Sequence, residues 1–168
     1  DRTHGTFMRR AFEEGLLIED KSLHVGIRGP LYDQQDLIND KNFGFSTVRA
    51  ADFDRMGVDE VIGLARKRVG DSPMYLSIDI DVLDPAFAPG TGTPEPGGMT
   101  SRELLEAVRR ICLELPVVGI DVVEVAPAFD SADITAILAN RVVLEALSAI
   151  AKRRNGSTYD PKQNLLDR

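Results

Sequence analysis

The 168-residue chain carries 43% hydrophobic and 28% charged residues, which supplies a buried core and argues against a disordered polymer. Its net charge of −7 and pI near 4.9 argue against a nucleic-acid partner, which needs a basic stripe, and suit a small cationic one. Cys112 is the single cysteine, so an intrachain disulfide and a Cys-rich zinc site are excluded and a reducing, cytoplasmic compartment is expected.

In chain order, the opening Asp1-Arg2-Thr3-His4-Gly5 has no methionine and reads as a truncated start. No signal peptide is visible, and no apolar run approaches the roughly 20 residues that cross a bilayer, so no membrane partner is expected. Residues 7–15 predict a short helix stopped by Gly15. Residues 22–28 predict a strand ended by Gly29-Pro30. The polar stretch 31–42 reads as irregular with at most a helical turn, and 45–49 as a second short strand. Over 58–69, Val58, Val61, Ile62, Ala65 and Val69 recur at spacings of three and four, which predicts an amphipathic helix. Residues 74–80 predict a third strand, followed by a Pro/Gly-rich loop over 84–98. Thr100 with Glu103 three residues on forms a capping box opening a helix to about Leu115. Residues 117–125 predict a fourth strand, and a long helix opens near Asp130-Ser131 and ends at Asn155-Gly156. Strands alternating with helices indicate βαβ units and a parallel sheet in an α/β fold. Residues 1–156 read as part of one domain and 157–168 as a polar tail.

The chemistry concentrates in Ser77-Ile-Asp-Ile-Asp-Val-Leu-Asp-Pro85. Asp79 and Asp81 stand two apart at a strand end, so a period of two puts both carboxylates on one face. Ligands of open α/β sheets bind outside such carboxyl ends. Two carboxylates about 6–7 Å apart along a strand are costly to bury without a positive charge between them, and paired oxygen donors favour Mg²⁺ or Mn²⁺. A bare D-x-D is equally compatible with solvated strand-end acids. A phosphotransferase of the haloacid-dehalogenase type also uses D-x-D, but the motif is then followed by Gly-Thr or a similar turn, where Val82-Leu83-Asp84-Pro85 stands here.

The longer run SIDIDVLDPAFAPGTGTPEPGG resembles the signature of the ureohydrolases, the arginase/agmatinase family. DVVEVAPAFDSADITA resembles that family's last strand and following helix, and HGTFMRRA and HVGIRGPLY resemble its agmatinase and guanidinobutyrase branch. The resemblance implies a three-layer α/β/α fold with a mainly parallel sheet, of which this chain is the C-terminal portion. It also implies hydrolysis of a linear guanidino compound to urea and an amine by a hydroxide bridging two Mn²⁺ ions, in an oligomer, trimer or hexamer, of a polyamine pathway.

Residue by residue, the resemblance assigns both Mn²⁺ ions to Asp79 and one to Asp81, proton transfer to the leaving amine to His4, the grip on the guanidinium to Glu124, and a place near the substrate to Thr93. Asp84 and Asp121 are expected to fix loop and ligand geometry, Asp121 with plain structural hydrogen bonding as an equal alternative. Arg28 is read as pairing structurally, or as meeting an anion or an acid across a subunit contact; His24 is assigned no role and Cys112 packing. The His-Gly-Thr form leans to agmatine, with guanidinobutyrate or another ω-guanidino acid next and a degenerate, non-catalytic homologue as the reading outside enzymes. The family's Gly-Gly-Asp-His and Asp-Ala-His-x-Asp segments, which carry the remaining metal ligands, are not in this sequence. The chain alone is therefore expected to be inactive and to expose a sheet edge.

Overall fold

The computed structural model describes residues 3–30, 33 and 35–160. Among these residues there are four strands: β1 (Ser22–Ile27), β2 (Phe45–Arg49), β3 (Met74–Asp79) and β4 (Val117–Val123). Five helices of more than one turn surround them: α1 (Phe7–Glu13), α2 (Gln35–Asn42), α3 (Ala50–Val69), α4 (Ser101–Glu114) and α5 (Ile134–Arg154). Both strand pairings are parallel, β1 with β2 and β3 with β4. Each pair is joined by a crossover containing a helix, as parallel neighbours require. Parallel pairs flanked by helices form part of a three-layer α/β/α arrangement.

Helix α3 packs on β1 and β2 and also touches α4, while α5 packs on α4 and β4. One continuous core results, running through Val48, Phe53 and Val61, then Ile78, Ile80 and Leu83, and on to Leu104, Val108, Val142 and Ala146. The capping box holds as expected: Thr100 Oγ1 accepts from the Glu103 amide at 3.3 Å, and the Glu103 carboxylate accepts from the Thr100 amide at 2.8 Å. The buried Glu145 carboxylate clamps the two helices, accepting from Arg109 of α4 at 2.8 Å and pairing with Arg141 at 2.7 Å.

Several element boundaries differ from expectation. The segment expected to be irregular contains α2, an eight-residue helix. Helix α3 begins eight residues before Val58, because Gly57 at φ 73° joins two helical pieces across a kink; glycine adopts such a φ without steric penalty. Helix α5 begins at Ile134 rather than near Asp130, because Ala132 and Asp133 are left-handed. In place of a helical turn, the Asp130 carboxylate accepts from the amides of Ser131, Thr135 and Ala136. By length and composition α5 could cross a bilayer, contrary to the sequence reading. Here its Val142, Ala146 and Ala149 are buried in the core and its last turn is Lys152-Arg153-Arg154.

The β3–β4 pair presents two unlike faces. Met74, Leu76, Ile78, Ile120 and Val122 turn to the core. Tyr75, Ser77 and Asp79 take the other face, opposite Gly119, Asp121 and Val123 in register.

Candidate functional site

Because β3 and β4 are parallel neighbours with Asp79 opposite Val123, their C-terminal ends share one rim. Asp79 ends β3, and Glu124 follows β4 by one residue. Asp79 is half-buried, and its carboxyl is raised from 3.8 to about 7. Burial is the largest cause; a hydrogen bond from the Asp81 amide opposes it, and the negative charges of Asp81 and Glu124 add to the rise. Asp81, in the turn after β3, and Glu124, just past β4, are thus both within electrostatic reach of Asp79.

Asp81 does not share a strand face with Asp79. The strand stops at Asp79, and residues 80–82 form a single 3-10 turn. The turn is capped by Asp79 itself, whose Oδ1 accepts from the Asp81 amide at 3.1 Å. A side chain that satisfies a nearby amide offers the backbone an alternative to the strand ladder, so the two acids meet through a turn and not through the two-residue period. The Pro/Gly loop then comes back to them: Thr93 Oγ1 donates to Asp81 Oδ2 at 2.9 Å.

The loop is pinned at both ends. Asp84 accepts from the amides of Ala86 at 2.9 Å and Gly97 at 2.8 Å. These amides, that of Ala86 first, hold its carboxyl below the usual carboxylate range. Met99 pairs back with the strand extension, its amide donating to Val82 and its carbonyl accepting from Asp84, both at 2.9 Å. Such an approach needs glycine at 98, where a Cβ would stand 2.5 Å from the Asp84 nitrogen and from the Leu83 carbonyl carbon. Deeper in, the Gly90 amide donates to the fully buried Thr135 hydroxyl at 2.8 Å.

Glu124 is exposed and left-handed, at φ 63°. For a non-glycine residue this conformation is worth roughly 1–3 kcal/mol of strain, of the sort found at functional sites. Asp121 lies on the outer sheet face and accepts from Ser77 Oγ at 2.7 Å and Tyr75 Oη at 2.8 Å. It is hydrogen-bonded structurally and stands back from the rim. The His4 backbone opens a one-turn 3-10 helix, His4–Thr6; its side chain lies outside the described residues. His24 stacks on Phe45 with ring centroids 4.3 Å apart.

Arg28 pairs structurally, and its charge is felt by the Asp84 carboxylate. Its guanidinium donates to the backbone carbonyls of Asp81, Leu83 and Glu95. The sequence reading expected Arg28 to pair structurally but did not identify these partners, and it passed over Thr135, because each partner is more than 40 residues away; an arginine directly after a strand and before Gly-Pro was the available signal. A cleft of about 670 Å³ lined by Arg66, Glu114, Val117 and Arg153 lies at the opposite, N-terminal end of β4.

Among the described residues, no group of three or more His, Cys, Asp or Glu side chains is arranged to hold a metal ion. The acids at the rim fit a hard cation in kind, being all-oxygen donors. The charges acting most strongly on half-buried Asp79 are both negative, and a cation would relieve them. By themselves these acids fall short of the shell of six or so oxygens such an ion takes.

The Arginase family profile matches residues 1–149. The agmatinase of Escherichia coli is 45% identical over 151 residues, which cover 90% of this chain and 46% of that protein. The guanidinopropionase of Pseudomonas aeruginosa is 45% identical over 150 residues, 89% of this chain and 47% of that one. Among solved structures, the proclavaminate amidino hydrolase of Streptomyces clavuligerus aligns with a TM-score of 0.80 at 43% identity, over 89% of this chain and 48% of the other. The chain thus spans about half the length of the relatives it matches. The acid-bearing ends of two parallel strands, the loop folded back onto them and this likeness agree: the chain belongs to the arginase family.

Proposed function

We propose that this chain supplies the acidic rim of a manganese-dependent guanidino hydrolase, and that the substrate is agmatine, cleaved to urea and an amine. One observation carries the reading: Asp81 and Glu124, from the ends of two adjacent parallel strands, both bear on half-buried Asp79. Asp79 and Asp81 would hold the metal ions. Bound manganese supplies a nucleophile from water at neutral pH by lowering its pKa.

The remaining work falls to the side chains. A carboxylate accepts two parallel N–H bonds from a planar guanidinium, and Glu124 stands exposed where a cation drawn by the rim would arrive. Thr93, bonded to Asp81, keeps the loop against the ligand carboxylates. His4 would return a proton to the leaving amine, a task its ordinary pKa range suits. Likeness to the guanidinopropionase favours an ω-guanidino acid as the second substrate reading. The exposed Ile137, Leu144 and Leu147 on α5 support assembly into a homo-oligomer.

The test is urea release from agmatine, 3-guanidinopropionate and 4-guanidinobutyrate, with and without Mn²⁺. It is run on the full-length protein to which the chain is proposed to belong and on the 168 residues alone. Turnover that needs Mn²⁺ is expected in the first and none in the second. No urea from any guanidino compound in the Mn²⁺-loaded full-length protein sinks the hydrolase reading in favour of a non-catalytic homologue. Turnover by the 168 residues alone sinks the claim that the acids here are only part of the metal site.

A further inference from the structure

Arg28 follows β1 directly and makes a set of bonds with a single geometric result. Its Nε and one terminal nitrogen both donate to the Glu95 carbonyl, at 3.0 and 2.7 Å. The same terminal nitrogen reaches the carbonyls of Asp81 at 2.6 Å and Leu83 at 3.1 Å. Its other terminal nitrogen is 3.5 Å from the Gly26 carbonyl. One planar group therefore ties three segments together: the end of β1, the turn that carries Asp81, and the Pro/Gly loop two residues beyond Thr93.

We propose that Arg28 is a positioning residue for the metal-binding carboxylates, fixing the turn over residues 79–84 and the loop in their ligand geometry before any ion binds. The proposal rests on the reading of Asp79 and Asp81 as metal ligands. The turn itself is too short to be rigid: one 3-10 turn, capped by one of the two acids it must orient. Once that cap engages a cation, its hold on the turn weakens, so an independent tether is needed. Arg28 supplies one from outside, on carbonyls and not on carboxylates, leaving the acids' oxygens unencumbered. Thr93 completes the circuit, since its bond to Asp81 hangs from the loop that Arg28 holds at Glu95.

The fork matters more than the charge. Five N–H donors in one plane can serve carbonyls in several directions at once, whereas an ammonium is a compact point charge on a flexible stem. Groups that orient metal ligands from behind are typically worth about 10–100-fold in metal affinity.

The experiment uses the full-length protein with Arg28→Lys and Arg28→Ala. Mn²⁺ binding is read by electron paramagnetic resonance titration, steady-state kinetics follow on agmatine, and thermal unfolding checks the fold. Both variants are expected to bind Mn²⁺ roughly 10–100-fold more weakly. At fixed, subsaturating Mn²⁺, kcat falls accordingly while KM for agmatine moves less than about threefold, because Arg28 touches no substrate group. Lysine is expected not to rescue. Wild-type Mn²⁺ affinity in a folded Arg28→Lys or Arg28→Ala protein overturns the proposal, as does a KM effect that exceeds the loss in metal affinity. Unfolding of both variants overturns it in favour of a purely structural arginine. Failure of the unsubstituted protein to bind Mn²⁺ overturns the metal reading itself, a result distinguishable from the others because it precedes any substitution.

Discussion

Asp79 and Asp84 stand five residues apart in one motif and live in opposite circumstances. Asp84 is surrounded by donors, with the amides of Ala86, Gly97 and Gly98 stabilising its charge. Asp79 is half-buried among like charges, and its charged form is disfavoured. The first is a carboxylate whose needs the fold has met, so it shapes a loop. The second is one whose needs the fold leaves open, so it is available to a ligand. Burying charge without a partner costs free energy, and a protein retains such a group where something outside the chain completes it. The contrast separates acids the fold has satisfied from acids it has not more sharply than their spacing does.

The largest expected effect lies on the open side. Asp79→Asn should abolish Mn²⁺ binding and lower kcat/KM of the full-length protein by at least about a thousandfold, roughly 4 kcal/mol of transition-state stabilisation. The same substitution in metal-free protein should leave unfolding by urea at pH 8 unchanged or raise its midpoint, because it removes a repelled charge. A clear fall in that midpoint would show that Asp79 is satisfied within the chain and would break the comparison.

Between the two acids in sequence lies Leu83, 1% exposed and part of the core. Truncation to alanine should cost about 2–5 kcal/mol of stability by loss of burial and the cavity left behind, read by chemical denaturation, and should loosen the turn and the loop together.

Asp84→Asn should act only on the satisfied side. The amides of Ala86 and Gly97 should exchange with deuterium faster and the thermal midpoint should fall, with Mn²⁺ affinity changed less than by Asp79→Asn. An equal loss of metal binding would merge the two classes.

The smallest effect is one of pH. In metal-free protein the folded-state pKa of Asp79 lies above its unfolded value, so its stabilising contribution is complete below about pH 4 and is lost as the pH rises towards 7. Asp84 has the opposite sign: its folded pKa is depressed, so its contribution is present above about pH 4 and lost as the pH falls through the folded pKa. Urea-unfolding midpoints against pH should therefore flatten between pH 4 and 7 in Asp79→Asn and flatten on the acid side in Asp84→Asn.

Much of the architecture was legible because it is written in local patterns. The alternation of apolar periods gave away parallel α/β pairs, and the Thr100–Glu103 box marked the start of α4 to the residue. Where local chemistry competes, pattern reading slipped. The carboxylates of Asp79 and Asp130 satisfy nearby amides, so a strand ended and a helix began at positions that apolar spacing does not record. Gly57, one residue before the helix expected over 58–69, is the kink within a longer one.

By itself the sequence determined the family, the parallel pairing of its strands and the candidates Asp79, Asp81, Thr93 and Glu124, since each lies in a contiguous run that resembles the family's motifs. Tertiary structure alone decided which acids are satisfied and which are left open, how Asp81 reaches Asp79, and that Arg28 grips the turn and the loop at once. Arg28 and Glu95 are 67 residues apart, and Gly90 and Thr135 are 45 apart. The folding of the whole core brings such pairs together, and no periodicity or spacing within a local window encodes them.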